Sequence, residues 1–214
     1  MSETHLGAAM AGGNPSQGRS DHDLYETPPL ATLALVNWLG PALPAKVWEI
    51  ACGNHHITNV LRGYGCEVFE SDLIDRGDHV VSDYLAASAA DAPFSPLAII
   101  TNPPWDQASD FIEHSLLVHQ PRFMALLLKA QFFHNRAGVK LSGNPLTRPT
   151  HTLPVSFRLD FRGRRNPAMD CTWFVWAPIA IRALKPLPVQ SEGFRPRGLP
   201  CSVGAYPGTR SKTR

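Results

Sequence analysis

Short apolar runs alternate along the chain with longer segments of helical length. The apolar runs, which predict strands, lie at residues 46–51, 66–71, 80–83, 96–101 and 123–128. The longer segments, which predict helices, lie at residues 30–39, 57–64 and 110–119. Strands that alternate with helices are typical of an α/β domain. We therefore expect a Rossmann-like, mostly parallel sheet with helices on both faces.

Local signals predict where the first helix begins and ends, and they predict that one strand is buried on both faces. Thr27 is a predicted N-cap, Pro28 a predicted first helical residue, and Gly40 a predicted helix end. The uninterrupted apolar run at 123–128 predicts a parallel strand that is buried on both faces.

The last third of the chain predicts an antiparallel hairpin that follows a loop. Residues 141–154 are rich in Gly, Pro and Thr and predict the loop. Alternating apolar residues at 155–161 and the apolar run at 171–177 predict two strands. The basic stretch at 162–167 contains Gly and Pro and predicts the turn between them.

Composition divides the chain into a domain and two tails. Residues 1–22 are small and polar without periodicity, which predicts a disordered N-terminal tail. Residues 186–214 are rich in Pro, Gly and basic side chains, which predicts an extended C-terminal tail. The folded domain is expected to span residues 23–185.

Several classes of protein are disfavoured by composition. No apolar run approaches the ~20 residues of a membrane span, and residues 1–20 lack the order of a signal peptide. The four cysteines are widely scattered, with no CxxC pair, at Cys52, Cys66, Cys171 and Cys201. This spacing predicts neither a metal site nor a disulfide framework, and it favours a reducing cytoplasm.

Charge is distributed unevenly between the two halves of the chain. Residues 1–119 hold four Lys and Arg against 15 Asp and Glu, a net charge of −11. Residues 120–214 hold 16 against three, a net charge of +13. Such asymmetry favours a polyanion as the partner of the second half, although basic residues in tails also promote solubility.

A rigid turn, Asn102-Pro103-Pro104-Trp105, follows the predicted strand at 96–101. Open α/β sheets bind ligands at the carboxyl ends of their strands. Proline lacks an N–H, so the turn offers carbonyl acceptors, one amide side chain and one aromatic ring. These groups suit a flat ligand that carries an amino group. The alternative is a proline turn with a packed tryptophan.

Three acids lie at the ends of successive predicted strands, namely Glu49, Asp72 and Asp83. Gly53 lies between the first strand and its helix, where a glycine lets a ligand approach the backbone. A carboxylate after the second strand can accept hydrogen bonds from ribose hydroxyls. Because the chain has neither GxGxxG nor GxxxxGK[ST], a nucleoside ligand without phosphates fits better than a dinucleotide or triphosphate.

With these motifs, the chain resembles class I S-adenosyl-L-methionine-dependent methyltransferases. More narrowly, it resembles the small phage and prophage DNA N6-adenine methyltransferases. The resemblance is carried, in the family's order, by residues 23–28 (DLYETP), 47–53 (VWEIACG), 71–77 (SDLIDRG), 101–105 (TNPPW) and 173–176 (WFVW).

The resemblance implies a role for each matching residue. The segment that covers the methionine end of the cofactor would include Tyr25, Thr27 and Pro28. The first cofactor loop would include Glu49, Ala51 and Gly53, while Asp72 would hold the ribose and Asp83 the cofactor adenine. The catalytic motif would be Asn102, Pro103, Pro104 and Trp105.

The implied reaction is methyl transfer to the N6 amino group of adenine in duplex DNA, without a metal. The Asn102 side-chain oxygen and the Pro103 carbonyl would accept hydrogen bonds from the two N–H groups of the amine. Trp105 would stack on the adenine after it is flipped from the duplex. Relatives commonly have a glycine where His55 stands, so its side chain is expected to crowd the methionine end of the cofactor.

Four basic residues lie around the predicted hairpin, and we expect them to contact DNA phosphates. They are Arg158, Arg162, Arg164 and Arg165.

Other substrates remain open at this point, namely RNA or a protein glutamine methylated at N5. The glutamine enzymes use a similar Asn-Pro-Pro-aromatic turn, in which tyrosine is more usual than tryptophan. A further alternative is a non-catalytic nucleic-acid-binding relative.

Overall fold

The computed structural model describes residues 26–161 and 169–177, in which seven strands form one sheet. The strands are β1 Lys46–Glu49, β2 Glu67–Asp72, β3 Val80–Val81, β4 Ala98–Thr101, β5 Phe123–Lys129, β6 His151–Pro154 and β7 Cys171–Trp176. Their order is β3-β2-β1-β4-β5-β7-β6, and β1 to β5 are parallel. β7 runs antiparallel to both β5 and β6. The predicted fold class, with its C-terminal antiparallel hairpin, is confirmed.

Helices cover both faces of this sheet. They are α1 Pro29–Leu39, α2 His56–Gly63, α3 Ala108–His114 and α4 Arg136–Gly143. α3 continues into a π-helical turn at Ser115–His119. Leu35 of α1 and Leu61 of α2 share one apolar core, whereas Ile112 of α3 and Leu141 of α4 belong to the other.

The side chains of β5 explain why helices cover both faces of the sheet. Side chains alternate between the faces of a strand, and both sets of β5 side chains are apolar. Phe123, Ala125 and Leu127 enter the core under α1, and Met124, Leu126 and Leu128 enter the core under α3. The predicted burial on both faces is confirmed. Only one neighbour of β5 is parallel, however, because β7 pairs with it in the antiparallel sense.

The start of α1 differs from the prediction by one residue. The helix begins at Pro29, and Pro28 takes the N-cap position. Thr27 is therefore not the N-cap. Its hydroxyl accepts a hydrogen bond from the Asn102 side chain instead. The predicted end is confirmed, since the helix stops at Leu39 and Gly40 adopts a φ of 51°.

The prediction of a strand at 155–161 is wrong. The prediction of a loop at 141–154 is wrong at both ends, where the structure has a helix and a strand. α4 extends through the start of that loop, and β6 at its end is the hairpin partner of β7. Beyond β6, the pairing outside named strands in the described part of the chain is a single bridge, Leu159 to Met169. Leu159 and Phe161 are nevertheless buried. The alternation at 155–161 reflected burial in the core and not strand pairing.

Several predictions concern residues outside the described ranges. These are the N-terminal tail at 1–22, the basic turn at 162–167, the C-terminal tail at 186–214 and the domain limits at 23 and 185. Among the helices at 26–161 and 169–177, none is long and apolar enough to cross a membrane.

Trp173 joins the hairpin to α1, which gives a test of the fold. Its side chain is fully buried, and its indole N–H donates to the Ala31 carbonyl at 2.8 Å. Trp173→Phe is expected to lower the free energy of unfolding by about 2 kcal/mol, because it removes this hydrogen bond and leaves a small cavity. Urea unfolding measures the change. The control Leu146→Ala alters a side chain that is 71% exposed and is expected to stay within about 0.5 kcal/mol of the parent.

Candidate functional site

The topology creates a crevice between β1 and β4. From β1 the chain moves outward through β2 to β3, and from β4 it moves the other way to β5. Ligands bind outside the carboxyl ends of the strands at such a switch point. A cavity of about 460 Å³ lies there, and it is lined by parts of the segments 26–27, 49–57, 72–76, 82–84 and 102–111.

Most of the residues predicted from the motifs meet at this cavity. Those that line it are Thr27, Glu49, Ala51, Gly53, Asp72, Asp83, Asn102, Pro103 and Pro104. Pro28 and Trp105 adjoin these residues in the chain but are not part of the lining. Tyr25 lies outside the described residues.

A hydrogen bond joins the ends of β1 and β2 at the floor of the cavity. The N–H of Gly53 donates to Asp72 Oδ2 at 2.8 Å, and Gly53 has a φ of 52° that favours glycine. Asp72 Oδ1 accepts from the Ile74 N–H and from Arg76, both at 3.0 Å. A carboxylate offers about four lone-pair positions, so one position of Asp72 remains for a ligand.

Glu49 is almost completely buried at the end of β1. The Thr58 hydroxyl donates to its carboxylate. Burial raises the pKa of Glu49 well above its ordinary value near 4.5, and the neighbouring Glu70 charge adds to the shift. Glu49 therefore retains its proton at pH values where an exposed glutamate is ionised.

Glu70, which was not among the predicted site residues, behaves in the opposite way. Arg62 donates to it at 2.8 Å, and Nδ1 of His55 lies 2.6 Å from its other oxygen. Burial acts to raise the pKa of Glu70, but hydrogen bonds from His55 and Arg62 outweigh it and lower the pKa. The only sequence signal was its position two residues before Asp72 on an apolar strand.

His55 adopts a φ of 61°, in the left-handed region that favours glycine. Its ring turns toward Glu70 and is not part of the cavity lining. The expectation that this side chain crowds the cavity is therefore wrong in this structure. The contact between His55 Nδ1 and the Glu70 carboxylate, at 2.6 Å, holds the ring aside.

The side-chain amide of Asn102 is oriented by two partners. Its Oδ1 accepts the indole N–H of Trp105 at 3.1 Å, and its Nδ2 donates to Thr27 Oγ1 at 3.0 Å. An indole N–H can only donate, so the oxygen must face Trp105. The nearly buried Thr27 hydroxyl then takes the NH₂ group. The amide is thus fixed in one orientation at the cavity edge.

Trp105 is packed against both cores rather than open to the cavity. Its N–H also lies 3.3 Å from the Leu127 carbonyl, and Phe161 contacts the ring edge-on at 5.3 Å between centroids. The Lys129 ammonium lies 5.0 Å from the ring centroid. Lys129 therefore covers one face of the indole ring.

Asp83 lies at the opposite side of the cavity and is exposed. Its Oδ1 accepts the N–H of Leu85 at 3.0 Å and caps the 3₁₀ turn at Tyr84–Ala86. The carboxylate is therefore held by the backbone after β3, where it can accept a further hydrogen bond.

Glu26 and Arg76 also line the cavity and were not predicted as site residues, although both lie within motifs singled out in the sequence. Glu26 accepts from Asn54 at 2.7 Å and lies 3.8 Å from His56 Nε2, so the N-terminal segment contacts the β1–α2 loop. Arg76 pairs with Asp72 at four residues' spacing. Both roles depend on partners that the motif spacing alone does not specify.

Of the four predicted DNA-contacting arginines, Arg158 alone lies in the described part of the chain. It forms an exposed ion pair with Asp170 at 3.2 Å. Arg162, Arg164 and Arg165 lie outside the described residues.

Comparison with known proteins identifies the fold. Neither a protein-family model nor a curated protein sequence matches the chain. Among solved structures, the 23S rRNA methyltransferase ErmE aligns with 15% identity and a TM-score of 0.51, covering 77% of this chain and 72% of its own. The chain has the class I methyltransferase fold.

Two further structures support that fold. A protein from Pyrococcus horikoshii, assigned as an RNA methyltransferase, is 12% identical, with a TM-score of 0.54 over 82% of this chain and 98% of its own. A protein from Listeria monocytogenes, assigned as a class I S-adenosylmethionine-dependent methyltransferase, is 14% identical, with a TM-score of 0.52 over 85% of this chain and 68% of its own. At these identities the likeness extends to the methyltransferase fold and not to a substrate.

The raised pKa of Glu49 predicts that the free energy of unfolding of the parent chain decreases as the pH rises. Between its ordinary value near 4.5 and its raised folded value, the folded state holds a proton that the unfolded state has lost. Stability therefore falls as pH rises through this window. Glu49→Gln cannot titrate and is expected to gain about 1 kcal/mol or more over the parent between pH 4.5 and 7.5.

Urea unfolding of the parent and Glu49→Gln at both pH values measures this difference. The matched control is Glu67→Gln, which removes a carboxylate from an exposed ion pair with Lys46 and is expected to change stability little at either pH. A constant difference between parent and Glu49→Gln at the two pH values would contradict the assignment.

Proposed function

We propose that this chain is an S-adenosyl-L-methionine-dependent methyltransferase that modifies the N6 amino group of adenine in DNA. The observation that carries the proposal is the arrangement of one cavity. Asn102, Pro103 and Pro104 form one wall, and Asp72 and Asp83 form the other. The class I methyltransferase fold around this cavity supports the methyltransferase part of the proposal.

The acidic wall suits a cationic nucleoside without phosphates. The remaining acceptor position of Asp72 would take a ribose hydroxyl, and Asp83 would accept from the cofactor adenine. Arg76, the arginine of the lining, is already paired with Asp72. Glu26 and Thr27 would cover the methionine end. S-adenosylmethionine supplies an electrophilic methyl group, and its positive charge is favoured beside these carboxylates.

The Asn-Pro-Pro turn would activate a weak nucleophile. The lone pair of an adenine amine is delocalised into its ring. Asn102 Oδ1 and the Pro103 carbonyl would each accept a hydrogen bond from one N–H of the amine. The two acceptors localise the nitrogen lone pair toward the methyl group. Methyl transfer would form an N–C bond as the C–S bond of S-adenosylmethionine breaks, and the surplus N6 proton would leave to solvent.

Trp105 then acts as a positioning residue. Its indole N–H fixes the Asn102 oxygen in the direction that the amine needs, and the Thr27 hydroxyl fixes the other end of the same amide. Stacking of a flipped base on Trp105 would require Lys129 to leave the ring face it covers.

The substrate is assigned to nucleic acid by charge. The net charge of +13 in residues 120–214 favours a polyanion, and Lys129 lies at the edge of the Asn-Pro-Pro-Trp turn. RNA is the second candidate, because two of the structural neighbours are described as an rRNA and an RNA methyltransferase. The unpaired thiols of Cys52, Cys66 and Cys171 are compatible with a cytoplasmic enzyme.

Transfer of labelled methyl groups to unmethylated DNA and to RNA tests the reaction. Digestion to nucleosides is expected to place the label in N6-methyldeoxyadenosine. Asn102→Ala is expected to lower kcat by at least about 100-fold, since it removes an acceptor in the transition state. Label in RNA alone would transfer the proposal to the second candidate, and labelled protein without labelled nucleic acid would reject both.

Sequencing of genomic DNA from a methylation-free host that expresses the chain gives the modified base and its sequence context together. The matched control is the same host expressing Asn102→Ala. Methylated adenines at a common sequence are expected with the parent chain and not with the variant.

The positioning role of Trp105 predicts that its substitution lowers kcat and leaves KM nearly unchanged. Trp105→Phe keeps an aromatic ring but loses the N–H, and it is expected to lower kcat by about 10-fold with little change in the KM for DNA. Thr27→Val, which removes the other partner of the amide, is expected to act in the same direction. Thr27→Ser retains the hydroxyl and is the control. A raised KM with unchanged kcat in Trp105→Phe would indicate base stacking instead.

A further inference from the structure

Three side chains with metal-binding atoms converge beside the cavity, namely Cys52, His55 and His79. The Cys52 sulfur and one ring nitrogen of each histidine all lie within 4.8 Å of one another. Cys52 and His55 belong to the loop after β1, and His79 precedes β3. The parallel order β1-β2-β3 brings the two loops to one edge of the sheet. His55 and His79 are 24 positions apart in the sequence, so short metal-ligand spacings did not reveal this cluster.

Each histidine is held by an acceptor at one ring nitrogen. Nδ1 of His55 lies 2.6 Å from Glu70 Oε1, and Nε2 of His79 lies 3.0 Å from the Ile74 carbonyl. A carboxylate and a carbonyl only accept, so each of these two nitrogens carries an N–H. The nitrogens left to bind a metal ion are Nε2 of His55 and Nδ1 of His79. Metal-bound histidines are held in the same way, by a carboxylate or backbone carbonyl on the nitrogen away from the metal.

The remaining nitrogen of His79 provides an independent indication of a ligand. His79 Nδ1 is hidden from solvent and has no hydrogen-bond partner in the part of the chain that the structure describes. Buried polar atoms in proteins almost always have a partner. The ring of His79 lies 5.6 Å from the ring of His55, between centroids, and the Cys52 thiol is free and buried.

We propose that Cys52, His55 and His79 bind a divalent transition metal ion, with Zn²⁺ as the best match. One thiolate and two imidazoles are ligands that Zn²⁺ prefers, whereas Mg²⁺ and Ca²⁺ require oxygen ligands. A tetrahedral site separates its ligand atoms by about 3.5 Å, so a small closure of the two loops completes the site. The Cys52 sulfur loses its proton to solvent as the metal–sulfur bond forms.

The site would couple the metal to the candidate cofactor cavity. Cys52 and Gly53 are consecutive and both line the cavity, and Glu70 joins His55 to Arg62. A bound ion would clamp the loop after β1 to the loop before β3. This proposal does not depend on the methyltransferase reaction, because its test measures metal binding alone.

Zinc titration of the untagged full-length chain, after removal of metal with a chelator, tests the proposal. Competition with a chromogenic chelator is expected to give a dissociation constant of about 1 µM or tighter for one ion. His79→Gln and Cys52→Ala are each expected to weaken binding by at least about 100-fold. Circular dichroism verifies folding, and the His79→Gln result decides if Cys52→Ala does not fold.

Matched controls separate this cluster from other cysteines and histidines. Cys66→Ala changes a buried thiol at the opposite end of β2, and His134→Gln changes an exposed histidine. Both are expected to bind zinc as the parent does. Cobalt in place of zinc is expected to show a thiolate charge-transfer band that Cys52→Ala abolishes. Zinc binding weaker than about 10 µM, or binding that survives both His79→Gln and Cys52→Ala, would overturn the proposal.

Discussion

The hydrogen bond from the Gly53 N–H to the Asp72 carboxylate is the constraint on which the cavity depends. It ties the loop after β1 to the end of β2 at 2.8 Å. The Gly53 backbone can approach the carboxylate closely because a glycine has no Cβ. With the loop held there, Glu49 remains buried below it, and Asn54 above it contacts the N-terminal segment.

Two buried glutamates beside this hydrogen bond differ in ionisation because their partners differ. Glu49 has the Thr58 hydroxyl and no cation in direct contact among the described residues, and burial raises its pKa. Glu70 has Arg62 and His55, which lower its pKa. Because the two pKa values are shifted in opposite directions, the fold avoids two adjacent buried negative charges. It leaves one carboxylate to anchor His55 and keeps the histidine ring out of the cavity.

The sequence predicted the features that follow from strand direction. Acids and the Asn-Pro-Pro turn lie at or just after the ends of strands, and parallel strands end at one edge of the sheet, so Asp72, Asp83 and Asn102 meet. Contacts between distant segments were not predictable from local pattern. Thr27 had the local signature of an N-cap, yet its hydroxyl pairs with Asn102, 75 residues away.

The C-terminal hairpin shows a second limit of sequence pattern. Alternation at 155–161 predicted a strand, but β7 pairs with the short strand β6, which contains Pro154 and few apolar residues. Alternation reports which side chains face the core, and a loop can bury Leu159 as well as a strand can. Trp105 is comparable, since its residue type suggested a stacking surface but did not indicate that its indole N–H donates to Asn102.

Calorimetric titration with S-adenosylhomocysteine, the demethylated product of the cofactor, tests the central claim most directly. The cavity at the β1–β4 switch point is expected to bind one molecule per chain, with the heat of a saturable single site. The absence of heat at millimolar S-adenosylhomocysteine, from a chain that is folded and binds DNA in a salt-sensitive manner, would contradict a cofactor cavity. That result would identify the chain as a non-catalytic nucleic-acid-binding protein.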